Sequence, residues 1–235
     1  MKINLLLCDW FEELLPDWLD SFPKMFYSLF DSVAGEDVEY RVYDVEKREL
    51  PDTLSHDELY VITGSMASVY EDKEWINGLK DFIRRAYHEK VKLVGVCFGH
   101  QAVAQALGGL VEKSPKGWGV GIRKSTVVLP EALKYFPEGE LRLFYNHNDQ
   151  VVRLPKDARL IATSDFCENE AFIIGDNILC FQGHPEYTSA YENHVLDIAN
   201  YENKEVVKRG YETTAIDNTM GKEAGKWMIE LLNKD

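Results

Sequence analysis

Residues 92–107 constrain this chain more than any other segment. Lys92-Leu93-Val94-Gly95-Val96 is an apolar run of strand length that passes without a spacer into Cys97-Phe98-Gly99, and Ala102, Val103, Ala106 and Leu107 follow at helical spacing. A strand that enters a helix through one residue needs a very sharp turn. The residue at the apex is forced toward positive φ, and the residues two positions away must be small so that strand and helix backbones can approach. Gly95 and Gly99 meet that requirement on either side of Cys97, and Gly108-Gly109 close the helix. A side chain at such an apex projects above the sheet edge, where the helix N-terminus offers free N–H groups and a positive dipole end. Both lower a thiol pKa and favour an oxyanion. Cys97 is therefore a candidate nucleophile; the competing reading is a buried structural cysteine flanked by packing glycines.

The surrounding pattern is an alternation of strands and helices. Residues 3–9 read as a strand buried on both faces, and Phe22, Met25, Phe26, Leu29 and Phe30 give a helix that opens at Pro23 and ends near Gly35. Strands follow at 38–45 and 59–63, with an amphipathic helix at 75–90 between the latter and residues 92–96. Such alternation predicts a parallel sheet. From 111 to 180 the texture turns β-rich, with segments at 120–129, 141–145, 159–163 and 178–182 separated by turn residues, which predicts antiparallel strands. Helices around 191–202 and 222–232 close the chain. The expectation is an α/β fold with a mostly parallel central sheet flanked by helices and a smaller antiparallel β portion, in one domain over residues 1–235.

Forty acidic against 26 basic residues give a formal charge of −14, a field that repels phosphate backbones and anionic lipid, so neither nucleic acid nor a membrane is expected as partner. No apolar stretch approaches bilayer length, and residues 3–8 are too short for a signal-peptide core. Cys8, Cys97, Cys167 and Cys180 are widely spaced with no CxxC pair, which reads as reduced thiols in a cytoplasmic protein. Cys8, Cys167 and Cys180 are expected to be buried structural thiols, and Trp118 and Tyr145 to be core.

A nucleophilic cysteine needs a base. His184-Pro185-Glu186 follows an apolar strand ending at Phe181, near the C-terminal sheet edge where α/β sites collect. In extended chain, residues i and i+2 point the same way, so Glu186 can hold one imidazole nitrogen of His184 and leave the other for the thiol. His147, with Asp149 two residues on, is the alternative pair. His100, beside Cys97 on the helix, reads as structural.

Four segments taken together, Ile62-Thr63-Gly64-Ser65, Val94 to Gln101, Asn146-His147-Asn148-Asp149 and Gln182-Gly183-His184-Pro185-Glu186, resemble the class I glutamine amidotransferase family over nearly the whole chain. Its glutaminase domains use a Cys-His-Glu triad on an α/β sheet. The resemblance implies that Cys97 attacks a γ-glutamyl carbonyl while the backbone N–H groups of Phe98 and Gly64 hold the oxyanion. It implies further that Gln101 contacts the amino-acid end of the substrate, with His147 also in the substrate site, and that no metal or organic cofactor is required. Where the family often carries paired glycines and a proline in the oxyanion loop, this chain has Gly64-Ser65-Met66.

Three functions follow as expectations. The first is a glutaminase-type cysteine hydrolase acting through a Cys97 thioester, for which a separate synthetase chain would be the partner that accepts ammonia. The second is a γ-glutamyl peptidase acting on glutathione or its conjugates, which present the same γ-linked glutamate. The third is a binding or regulatory module that keeps the fold without turnover, against which the presence of Cys97, His184 and Glu186 together argues.

Overall fold

The computed structural model describes residues 1–35 and 37–233. Its central feature is a nine-stranded sheet. The strands along the parallel half are β1 (Lys2–Leu7), β2 (Glu39–Asp44), β3 (Glu58–Ile62) and β4 (Lys92–Val96), and those that follow are β5 (Leu110–Lys113), β6 (Gly119–Val127), β7 (Glu140–His147), β8 (Asp149–Arg153), β9 (Ala158–Thr163), β10 (Ala171–Ile174) and β11 (Ile178–Phe181). The order in the large sheet is β2-β1-β3-β4-β11-β10-β9-β6-β7, while β5 and β8 pair separately and antiparallel. From β2 to β11 the pairs are parallel; from β11 to β7 they are antiparallel. The structure thus has the expected α/β class with a mixed central sheet.

Why β1, β3 and β4 read as continuous apolar runs is visible in where successive residues go. Ile3, Leu5 and Leu7, Leu59 and Val61, and Val94 and Val96 enter one core, whereas Leu6, Tyr60, Ile62 and Leu93 enter the other. A strand covered on both faces has no polar side to show. Helices α1 (Pro23–Asp31) and α6 (Gly221–Glu230) cover the first face, and α2 (Glu74–Glu89) and α3 (Phe98–Ala106) the second. The observed bounds of α1 and α2 lie close to those predicted.

Near the C-terminus, three helices stand where two were predicted. Helix α4 (Ser189–Ile198) ends before Tyr201, and α5 (Lys204–Thr214) starts anew at Asn203, whose side chain caps it by accepting from Glu205 N at 3.0 Å. Helix α5 seats on β6 through glycines. Gly121 has φ of +70°, and a Cβ there would lie 2.3 Å from Thr213 Oγ1 and 2.8 Å from Gly210 Cα. The short strands β5, β8 and β10 lie outside the segments that the sequence pattern predicts. Among the described residues no helix is long and apolar enough to cross a membrane.

One topological fact positions the site. Strands β3, β4 and β11 are parallel neighbours, so their C-terminal ends emerge at one edge, and Phe181 pairs with Val96. Gly64, Cys97 and the segment 182–186 therefore meet.

Candidate active site

Cys97 lies between β4 and α3 with φ 51° and ψ −104°, the positive φ that the sharp turn requires. The glycines around it are needed for space. A Cβ on Gly95 would lie 2.6 Å from the carbonyl oxygen of Gly99, and one on Gly99 would lie 2.3 Å from that of Ile62. Backbone contacts that close cannot be relieved by turning a side chain, so each glycine holds α3 against the sheet. Cys97 N donates to Phe181 O at 2.9 Å, tying the elbow to β11.

The loop after β3 passes beside the same sulfur. A Cβ on Gly64 would sit 3.2 Å from His184 Cε1 and 3.8 Å from Cys97 Cβ, so this position leaves room for the imidazole. Among the described residues neither Gly64 N nor Phe98 N donates to a protein acceptor. The loop is pinned from below. Thr63 Oγ1 accepts from Cys8 N at 3.0 Å, and Asp9 accepts from Phe11 N at 2.8 Å through one carboxylate oxygen and from Met66 N at 3.1 Å through the other. Asp9 lies in a different motif from the loop it holds, so sequence reasoning missed it.

His184 is buried, and its Nδ1 lies 2.7 Å from Glu186 Oε1. Its backbone N donates to Phe144 O at 2.7 Å, and its ring stacks on Tyr187 with centroids 3.9 Å apart. Burial disfavours the imidazolium, but the Glu186 carboxylate and the Cys97 sulfur outweigh burial and push the His184 pKa up to about 10. Cys97, His184 and Glu186 are thus together.

His147 is also brought to this cavity, but its partner differs from the one expected. Its Nδ1 lies 2.9 Å from the main-chain oxygen of Asp149, not the carboxylate, which accepts from Tyr70 Oη at 3.0 Å. Burial pushes His147 down to about 4, so the ring is neutral. Because a carbonyl can only accept, Nδ1 carries the proton and Nε2 is left as an acceptor without a protein partner. Gln101 Nε2 donates to the same Asp149 oxygen at 2.9 Å and to Gln182 Oε1 at 3.1 Å. Gln182 in turn points its Nε2 at Cys97 Sγ, 3.7 Å away. That contact becomes legible only once β11 is paired with β4. His100 is fully buried against Phe172, outside the cavity, and burial pushes it down to about 3.

These groups open into a cavity of about 390 Å3. Cys97, Gln101, His147 and His184 form its buried inner part; Met66, Tyr70 and Trp118 stand exposed around its mouth. Trp118 is not core as expected, because it turns its edge to Tyr201, centroids 5.5 Å apart, and leaves part of its surface to the cavity. Tyr145 is core. Cys8, Cys167 and Cys180 are buried, and burial pushes all three thiols up, away from reactivity.

A strand-to-helix elbow on a parallel sheet, with a histidine-carboxylate pair beside it after the neighbouring strand, is a geometry found in α/β hydrolases. The family model "Glutamine amidotransferase class-I" matches residues 15–200, and the chain belongs to that family, among hydrolase and amidotransferase enzymes. γ-Glutamyl peptidase 4 of Arabidopsis thaliana is 39% identical over 73% of this chain and 72% of its own length. γ-Glutamyl peptidase 3 of the same plant is 34% identical over 73% of each. Among solved structures, a glutamine amidotransferase from Methylobacillus flagellatus superposes with a TM-score of 0.79 at 22% identity, covering 100% of this chain and 96% of that one, which is a likeness of fold.

Proposed function

We propose that this chain hydrolyses γ-glutamyl amide bonds by way of a Cys97 thioester, and that its substrates are γ-glutamyl peptides. The observation that carries the proposal is the cavity: behind its mouth the sulfur and the His184 ring converge beside Gly64, while Met66, Tyr70 and Trp118 stand exposed around the mouth. The amide of free glutamine leaves as ammonia and has no use for such a mouth. A peptide leaving group extends into it. The similarity to two γ-glutamyl peptidases supports the same choice.

The chemistry runs as follows. Cys97 Sγ adds as thiolate to the γ-carbonyl carbon, the carbonyl electron pair moves onto oxygen, and the N–H groups of Gly64 and Phe98 hold that oxyanion. His184, held protonated by Glu186 and the sulfur, gives its proton to the nitrogen, the C–N bond breaks, and the peptide amine departs. In the thioester the sulfur carries no charge, so one of the two anions that raise the His184 pKa is gone. The ring, neutral after giving up its proton, then takes one from water as the water oxygen adds to the thioester, and glutamate leaves as sulfur recovers its electron pair. Gln101 and His147 are assigned to the amino-acid end of the substrate.

Retention of four reduced thiols fits the cytoplasm. Glutamate release from glutathione and from glutamine, measured side by side with Cys97→Ala as blank, tests the proposal. Higher kcat/KM on glutathione is expected. Preference for glutamine would favour instead a glutaminase whose ammonia goes to a separate synthetase chain, and turnover of neither would leave a module without catalysis.

A further inference from the structure

Gln182 is fully buried, has no surface role, and follows β11 two residues before His184. Its side chain has two hydrogen-bonding ends, and the surrounding network fixes which end faces the nucleophile. The main-chain oxygen of Asp149 can only accept, so the group of Gln101 that lies 2.9 Å from it is the amide NH2. That same NH2 faces Gln182 at 3.1 Å, which makes the Gln182 atom there the carbonyl oxygen. The remaining end of Gln182, 3.7 Å from Cys97 Sγ, is therefore an N–H donor. A chain of three contacts thus delivers a donor of fixed polarity from a backbone carbonyl to the sulfur, with no freedom for the amide to flip.

We infer that Gln182 is a further catalytic residue, whose side-chain N–H donates to the Cys97 thiolate. The inference rests on the reading of Cys97 as nucleophile and deepens it. A donor prefers a charged acceptor to a neutral one, so this bond is made in the free enzyme and lost in the thioester, whose sulfur is a poor acceptor. When hydroxide has added to the thioester and the C–S bond breaks, the electron pair returns to Sγ and the Gln182 N–H receives it. Gln182 therefore assists departure of the sulfur as well as populating the nucleophile. Gln101, which holds Gln182 by its oxygen, is a positioning residue in this respect besides its assignment to the substrate.

The test is the pH dependence of Cys97 alkylation by iodoacetamide in the free protein, with the modified site located by peptide mass spectrometry and Cys97→Ala as blank for the other thiols. Gln182→Leu, which removes the donor, is expected to move the inflection up by about 1 pH unit, a tenfold fall in the thiolate equilibrium. Gln182→Glu, which sets a carboxylate against the sulfur, is expected to move it further, and Gln101→Leu to move it the same way by less. Glutamate release should fall in step with kcat rather than through KM. Folded Gln182 variants with a wild-type inflection would overturn the inference while leaving the Cys97 reading intact. Should the Gln182 variants not fold, an unchanged inflection in Gln101→Leu overturns it. A wild-type Cys97 that alkylates no faster than an ordinary thiol at any pH would overturn both.

Discussion

His184 gains the Glu186 carboxylate and the Cys97 sulfur as neighbours on folding, and that gain has consequences for stability as well as for chemistry. Burial works against its charge, the Glu186 carboxylate and Cys97 sulfur work for it, and the net result is a folded pKa of about 10 against an ordinary 6.5. The imidazolium thus contributes stability that is fully present below about 6.5 and is lost as pH rises through about 10. Glu186→Gln removes the leading attraction, so the pH at which stability is lost should move down; denaturant midpoints from pH 6 to pH 10 for both proteins would check it. At the neighbouring position, Gly64→Ala places a methyl 3.2 Å from His184 Cε1 and 3.8 Å from Cys97 Cβ. The imidazole must turn to admit it. A loss of kcat of about tenfold to a hundredfold with an unchanged melting temperature is expected, the scale of a misplaced catalytic group.

At the level of elements, two contacts decide how helices sit on the sheet. Helix α3 rests on β3 with Gly99 against the Ile62 carbonyl, so Gly99→Ala must lift the helix, and overpacking of that kind costs about 1–3 kcal/mol. Both the melting temperature and Cys97 reactivity should fall, because the elbow moves with the helix. Helix α4 carries Glu192, fully buried, with one carboxylate oxygen accepting from Gly121 N at 2.8 Å and the other unpartnered. Burial pushes its pKa up to about 7. A raised carboxyl pKa stabilises the fold at low pH and loses that contribution as pH rises through about 7. Glu192→Gln, neutral throughout, is expected to raise the melting temperature at pH 8 and to give no gain below about pH 4.5. A variant less stable than wild type at pH 8 would show that the carboxylate is needed there.

Across the whole molecule, what could be read in advance tracks how local its cause is. Strands β1, β3 and β4 were legible because burial on both faces leaves a short, mostly apolar run, and α1 and α2 because one apolar stripe repeats at helical spacing. Strands β5 and β8 pair with each other apart from the large sheet and mix Leu, Val and charged residues within a few positions, which leaves no apolar pattern to read. Helix α5 was missed because Lys, Arg, Glu and Thr fill it and its seat is glycine against glycine. In the site, Cys97, His184 and Glu186 are legible because each stands in a short motif, the elbow between Gly95 and Gly99 or the run His184-Pro185-Glu186, whose chemistry is read within five residues. The Gln182 contact with sulfur spans 85 positions, the Asp9 contact with Met66 spans 57, and neither leaves a local trace. The same holds for Trp118 at the cavity mouth, whose ring partner Tyr201 lies far along the chain.

The thioester itself is the claim on which the rest depends. Intact-protein mass spectrometry after rapid acid quench of the enzyme with excess glutathione should find a fraction of the protein heavier by one γ-glutamyl group, carried by the peptide that contains Cys97, and absent from Cys97→Ala. Glutamate release by a Cys97→Ala protein, or an adduct on Cys8, Cys167 or Cys180 in place of Cys97, would contradict it.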